Sequence, residues 1–478
     1  MKRLNLKEKL TYSIGQLGIS FVTSIHMLYL VYFFFPPKDA GLPEVIQQGA
    51  VFGGLTLLGL AMGAGRLLDA LTDPLVAGWS DNFRHPKGSR TVFMRRSALG
   101  FALTYVLVFF VPVPGSIHPM NEVWLVGLLL ISAIFLTLYI IPYFALMVEI
   151  APHPDDKVDM TTFNSALWFT GFLIVSFSAG LWDPFASLVG GNTMDGMRMT
   201  FLALGGLGFI FLLIPALFVK EDAESCNKKD SPNVNQKLLF QSIGKVFKNK
   251  DYRNLVAWNT LYTIATYMFE TGLVYFITVL ARMDATAQGP LTVAIGAITF
   301  ASYPFVNYFA KKRGKKNMMI LGFILFALMF TSISVLGLWG LPIWLVMGLV
   351  VIFAPIPQSI FQMLPQAMSA DCAAWDAWKT GEDNAGMYFA VGGFVTKLGA
   401  SLATILFTSL LLFGKDIGDD LGIRLTTILG AVLCIAGLLV LLRYNEKRIL
   451  SYSKEIKNNE SNMDAGDSDM GLTAQESV

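Results

Sequence analysis

The sequence predicts an all-α membrane protein: twelve transmembrane helices arranged as two six-helix halves. Three observations carry this. Twelve apolar runs of spanning length fall into two groups of six around a hydrophilic stretch. Of 478 residues, 54% are hydrophobic and 15% charged, with mean hydropathy +0.56, where soluble domains carry roughly 25% charged residues. The basic residues are sided: Lys38, Arg198, Arg282, Lys415 and Arg424 lie in segments of one side, Arg66 and Lys397 lie within spans, and the other 29 of 36 lie on the second side. That excess predicts a multi-pass protein of the cell's inner (plasma) membrane with both termini and the central stretch cytoplasmic. The net charge of +2 then reflects sidedness, so no nucleic acid partner is expected.

The runs fall near 10–36, 46–80, 93–113, 121–150, 163–189 and 198–219, then near 254–281, 290–310, 317–337, 341–371, 384–414 and 420–443. They divide the chain into an N-terminal bundle (1–219), a cytoplasmic linker (220–253), a C-terminal bundle (254–443) and a polar, disordered tail (444–478). The first run begins after Met1-Lys2-Arg3 and continues to Phe35, beyond the roughly 7 to 15 apolar residues of a signal peptide, so it reads as a retained span. Within it Gln16, Ser20, Ser24 and Met27 recur at helical spacing, a mildly polar stripe that either lines a cavity or packs.

The second span is the unusual one. In Gly63-Ala64-Gly65-Arg66-Leu67-Leu68-Asp69-Ala70-Leu71-Thr72-Asp73-Pro74, one arginine and two aspartates sit at membrane depth. Such groups cost about 2.5 to 3.5 kcal/mol each on insertion scales and usually mark function. Asp69 and Asp73, four apart, share one helix face, and two carboxylates that close repel unless a cation or proton sits between them. Together they predict an ion site, with Asp69 and Asp73 as the metal ligands for a sodium ion or the acceptors for a proton. Arg66, three residues earlier, is placed for an intrahelical ion pair with Asp69. Lys397, midway along span eleven, is too deep to snorkel and can compete with a bound cation. The alternative is a structural network in which Arg66 and Lys397 only neutralise the aspartates.

Other buried polar residues follow in order. Thr137 in span four offers a hydroxyl oxygen to a hard cation, or bonds its own backbone. Tyr143 follows Pro142, and Glu149 near the Ala151-Pro152 break fits an inner gate. Glu270, the acid well inside the second half, contacts substrate, carries a proton or tethers a neighbouring helix. Span ten holds Pro355, Pro357, Gln358, Gln362, Pro365 and Gln366; its prolines predict a broken or bent helix, and Gln362 can read a polar solute. Cys226, Cys372 and Cys434 are too dispersed for a disulfide framework or metal cluster. The chain contains no G-x-x-x-x-G-K-[ST], H-E-x-x-H or G-x-S-x-G, so neither an enzyme nor a nucleotide-driven pump is expected, and no cofactor.

The halves echo each other: Asp73-Pro74 and Tyr303-Pro304 each precede a basic loop. Repeated six-helix halves around a midplane site describe the major facilitator architecture. The combination Arg66-x-x-Asp69-Ala70-x-Thr72-Asp73-Pro74-x-x-x-Gly78, Pro142-Tyr143, Leu364-Pro365 with Ala370-Asp371, Thr380-Gly381, Gly386-x-Tyr388-Phe389 and Lys397 resembles the glycoside-pentoside-hexuronide:cation symporter family over about residues 5 to 445. The resemblance implies a cation site at Asp69, Thr72, Asp73 and Thr137, coupled to Lys397, and alternating access around a central cavity. It also implies that the family's sugar-gripping groups are replaced: the span-one aspartate by Ser20, the span-four aspartate by Ile140 and its neighbouring tryptophan by Phe144, the span-five arginine by about Ser165, and the span-ten tryptophan by Gln362.

The expectation is therefore a monomeric symporter, coupled to Na+ or H+, for a small polar solute that is sugar-like by resemblance, with Gln16, Ser20, Tyr143, Phe144, Glu270 and Gln362 as candidate substrate residues. Membrane lipids and the solute are its expected partners. One alternative is transport of an amphiphile such as a lysolipid by the same ion site. Another is a non-transporting sensor, disfavoured by the acidic tail from Ser451 to Val478, which has no apolar helical face.

Overall fold

A computed structural model describes residues 4–83, 89–151, 154–219, 221, 246–338, 342–381, 385–449 and 451. The linker over most of its length and the tail beyond 451, including its expected disorder, lie outside the described residues. The N-terminal half contains α1 (Leu6–Phe34), α2 (Leu57–Asn82), α3 (Ser89–Leu107), α4 (Pro119–Ile150), α5 (Pro154–Ser176), the short α6 (Trp182–Val189) and α7 (Thr193–Phe218). The C-terminal half contains α8 (Lys250–Tyr275, continued by a π turn to Leu280), α9 (Gln288–Arg313), α10 (Lys315–Ser334), α11 (Ile343–Phe353), α12 (Pro355–Thr380), α13 (Ala385–Leu410), α14 (Leu421–Leu442) and the one-turn α15 (Glu446–Ile449).

These elements form twelve rods, because α5 with α6 and α11 with α12 are each one crossing. The first of these pairs is bent by 45°. The second meets at Ala354-Pro355, where the sequence placed a proline break. Apolar length alone passes nine rods, or ten with the bent pair, and leaves out α2 and α3, which carry their charges inside the helix.

One boundary is corrected. The apolar run opening at residue 46 suggested helix from there, but Ala50–Phe52 and Leu55–Thr56 form a tight antiparallel hairpin. Gly53 and Gly54 at its tip have φ of 53° and 84°, a left-handed turn no β-branched or bulky residue holds cheaply. Helix α2 therefore starts at Leu57, where the Thr56 hydroxyl accepts from Gly59 N at 3.1 Å as an N-cap.

Each half is packed around its own aromatic and aliphatic interior. In the first, α1 lies between α5 and α7, and α4 between α2 and α3; in the second, α14 lies against α8 and α10. The halves meet along α2 with α13, α1 with α8 and α5 with α9. We call the end where α1 begins and α14 finishes the terminal end, and the opposite end the far end. Bonds joining described residues of the two halves lie at the level of Lys397 or nearer the far end: Ser401 to the Gly63 carbonyl (3.1 Å), Thr56 to Thr408 (2.8 Å), Tyr275 to the Phe35 carbonyl (2.7 Å) and the ion pair Lys38–Asp416 (3.0 Å).

Candidate functional site

Three helices bring the site together. Pro74 sits inside α2 and supplies no backbone N–H, so the Ala70 carbonyl one turn earlier is left without its helical donor next to the two aspartates. Helix α4 runs beside α2 and presents Thr137. Helix α13 crosses from the other half and presents Lys397, where small residues let it approach α2: a Cβ at Gly63 would stand 2.6 Å from Ile405 Cδ1.

Lys397 Nζ lies between the two carboxylates, 2.8 Å from Asp69 Oδ2 and bonded to Asp73 Oδ2. Asp69 is buried, and its other oxygen accepts from the Thr137 hydroxyl at 2.6 Å, a charge-assisted bond. Thr137 also lies 3.1 Å from the Ala133 carbonyl, and Thr72 Oγ1 stands 3.2 Å from Thr137 Oγ1 while donating to the Leu68 carbonyl at 2.9 Å. Asp73 is satisfied on one side only: its Oδ1 is buried and has no hydrogen-bond partner among the described residues. Two carboxylates, with Asp73 Oδ1 unpartnered, and two hydroxyls form an all-oxygen donor set, the kind that suits a hard alkali cation or a proton and not a soft metal. No cluster of three or more His, Cys, Asp or Glu side chains able to hold a metal occurs among the described residues.

On the far side of Asp69 lies a cavity lined by residues of both halves. Arg66 and Asp69 line it from α2, His26 from α1, Tyr105 from α3, and Tyr267 and Thr271 from α8. The expected Arg66–Asp69 ion pair is not formed. The Arg66 guanidinium instead rests over the Tyr267 ring, 5.6 Å from its centroid, because Lys397 and Thr137 already occupy both Asp69 oxygens. His26 and Tyr105 escaped the sequence reading. His26 is the histidine of α1, and a histidine inside an apolar span was the signal available.

The candidate substrate residues separate into two groups. Ser20 is fully buried and donates to the Trp168 carbonyl at 2.5 Å, where Gly171 brings α5 against α1, so it is a packing residue and not a cavity residue. Tyr143 is also buried: its ring stacks on Tyr12 at 4.4 Å, and each hydroxyl donates to the other's carbonyl, locking α4 to α1. Gln16 is half-buried with its Oε1 unpartnered. Phe144 and Gln362 are exposed toward the terminal side, and Gln362 accepts from the Tyr303 hydroxyl at 2.5 Å. Tyr303, which matches Asp73 in the repeat, thus bonds within its own half. Glu270 is half-buried one turn from Tyr267 and makes no bond with a described residue. Glu149 pairs with Arg90 at 2.8 Å, inside the N-terminal half.

Two six-helix halves, a central cavity and charged groups at their interface define a membrane transporter of the major facilitator type. The model of the family described as MFS/sugar transport protein matches residues 11–448, and the chain belongs to that family. Among curated relatives, it is 25% identical over 426 residues to an uncharacterized symporter, YjmB, of Bacillus subtilis, covering 85% of this chain and 83% of that one. It is 23% identical over 417 residues to a putative sulfoquinovose importer of Escherichia coli, covering 84% and 81%. Among solved structures, the nucleoside transporter NupG superposes with TM-score 0.61 at 14% identity, over 92% of this chain and 100% of that one, which shows the shared fold.

Proposed function

We propose that this protein is a cation-coupled symporter, driven by Na+ or H+, that moves a small polar, sugar-like solute by alternating access. The observation that carries the proposal is the Lys397 ammonium shared between Asp69 and Asp73 across the two halves. Two carboxylates against one ammonium leave one negative charge, which one monovalent cation neutralises. A cation settling on Asp73 Oδ1, Asp69 and the hydroxyls of Thr72 and Thr137 weakens the carboxylates' hold on Lys397 and so frees α13 from α2. A ligand moves such an equilibrium only through its unequal affinity for the two states, and displacement of Lys397 supplies that inequality.

The sidedness of basic residues supports a cytoplasmic terminal end, so the end held together by bonds between the halves faces away from the cytoplasm. Both halves of the site belong to one chain, which supports a working monomer. The family description and the sulfoquinovose-related relative support a sugar-like solute. Amphiphile transport gains no support from α2 and α13, which pack closely at Gly59 and Gly63.

The test is solute accumulation in proteoliposomes under a sodium or proton gradient, with thermal stability of the purified protein in sodium against choline chloride. Asp69→Asn and Asp73→Asn are each expected to abolish accumulation and the cation-dependent stabilisation. Undiminished accumulation in both variants overturns the assignment.

A further inference from the structure

The cavity beyond the ion site is lined by Arg66 and bordered on α8 by Glu270, two charges that the ion site does not use. Arg66 makes no ion pair or hydrogen bond with a described residue, and its guanidinium rests over the face of Tyr267. Across from it on the other half, Glu270 stands three residues beyond Tyr267 on the same stripe of α8, also without a bond to a described residue. The charge acting on Glu270 is Arg66, yet no ion pair closes between them. A positive and a negative group on opposite halves therefore both stand without an ion pair among the described residues, Arg66 lining the cavity and Glu270 set on α8 between the lining residues Tyr267 and Thr271. Leaving both unfilled in a poor dielectric is costly, so the arrangement asks for something between them.

His26 adds a third group. Its Nε2 is 2.7 Å from the Tyr105 carbonyl, which can only accept, so Nε2 carries a hydrogen; in the neutral ring Nδ1 is then left as an acceptor. The Tyr105 ring, stacked on His26 at 4.0 Å, and the Tyr267 ring, which carries Arg66, form the aromatic part of the cavity wall.

We propose that Arg66 and Glu270 are the specificity-determining pair of the transporter, clamping between the halves a solute that carries no net charge and offers hydroxyl acceptors and donors side by side. This rests on the symporter reading above. The guanidinium fork donates to two solute oxygens, the Glu270 carboxylate accepts from two hydroxyls, and His26 accepts from one more. A net anion meets Glu270, Asp69 and the His26 lone pair, with Arg66 as the one unpaired cation lining the cavity among the described residues. A net cation meets Arg66 and competes with Lys397. A neutral polyhydroxylated solute fills both poles, and by bridging α2 to α8 it draws the halves together at the cavity. A site built to hold hydroxyls discriminates strongly against solutes that lack them, because its polar groups are then stranded.

The test uses the purified full-length protein and measures binding of D-xylose, methyl β-D-glucoside, D-glucuronate, a sulfonated hexose and glycine, by thermal shift and by fluorescence of its tryptophans, with and without sodium chloride. A neutral sugar is expected to bind best. Glu270→Gln, nearly isosteric, and Arg66→Lys are each expected to weaken that binding at least tenfold while the stabilisation by the coupling cation persists, which also reports that the variants are folded. Unchanged affinity in both variants, tighter binding of the glucuronate or sulfonate, or no neutral-sugar binding overturns the clamp. Absence of any cation effect in the unmodified protein, with the substitutions still weakening sugar binding, overturns the symport reading and leaves the clamp standing.

Discussion

The two ends of the molecule use the same kind of bond to opposite effect. At the terminal end the ion pairs among the described residues stay inside a half: Lys9 with Asp156 (2.8 Å) and Asp159 (2.6 Å), Arg90 with Glu149, Lys315 with Asp371 (2.5 Å), and Arg448 with Asp251. At the far end Arg198–Asp195 (3.4 Å) and Arg424–Asp420 (2.8 Å) also stay inside a half, but Lys38–Asp416 (3.0 Å) and Lys415–Glu44 (3.7 Å) join one half to the other. Pairs within a half tie the helices of one bundle to each other; pairs between halves tie the two bundles together at one end. The difference teaches where the hinge load lies. Opening the far end breaks α2–α13 packing and a few polar contacts, whereas neither bundle has to be rebuilt.

The largest expected effect comes from forcing the sealed end. A Cβ at Gly59 would sit 2.3 Å from Thr408 Oγ1 and 3.2 Å from Ile405 Cα, so Gly59→Val has to part α2 from α13. Transport is expected to fall at least tenfold, and an impermeant thiol reagent applied from the far side should begin to label a cysteine placed at Met62. Normal transport and no labelling would show that the far end is not held shut by this packing.

Next is Lys397→Met, which strips the shared cation from between Asp69 and Asp73. Breaking a buried pair by removing one partner typically costs about 3 to 5 kcal/mol, reduced here because Lys397 is 30% exposed. Thermal unfolding should show a clear loss of stability that sodium partly restores, since an added cation replaces the missing charge. A smaller effect is expected for Thr408→Val, which removes the bond from Thr56. A typical hydrogen bond contributes about 1 kcal/mol net, readable as a lower unfolding midpoint.

The smallest effect belongs to the Lys38–Asp416 clasp, with Lys38 78% exposed. Burial alone would raise the Asp416 carboxyl, but the Lys38 backbone N–H and ammonium outweigh it and hold it below the ordinary 3.8. A depressed carboxyl contributes closure above its ordinary value and loses that contribution as the pH falls through its lowered one. Asp416→Asn should therefore favour far-side labelling slightly at neutral pH, with the difference from the unmodified protein vanishing in strong acid and shrinking in high salt. A difference that persisted in both conditions would assign the effect to something other than this ion pair.

Much of the site was legible because membrane depth makes charge expensive. Asp69, Asp73, Lys397 and Arg66 stand out from an apolar background, and the four-residue spacing of the aspartates places them on one face. The remainder was not legible, since hydroxyls and aromatics cost little to bury and serve packing as readily as binding. Ser20 and Tyr143 look polar enough for a cavity, yet each is consumed by a helix contact, the first against Gly171 and the second against Tyr12. His26 lies between Ser24 and Met27 but on another face of α1, and joins the cavity through α3, a neighbour that no periodicity announces.

By itself, the sequence determined the twelve crossings, their division into halves and the identity of the buried charges, because hydropathy and ionisation are properties of residues taken singly. Only the tertiary structure decided which charges meet. Arg66 is nearer Asp69 in sequence than Lys397 is, but helix α13 delivers the ammonium to both aspartates and leaves the guanidinium to the cavity. Electrostatic partners are chosen by distance in space, and in a bundle of crossing helices that distance is set by how closely small residues such as Gly59 and Gly63 let two backbones approach.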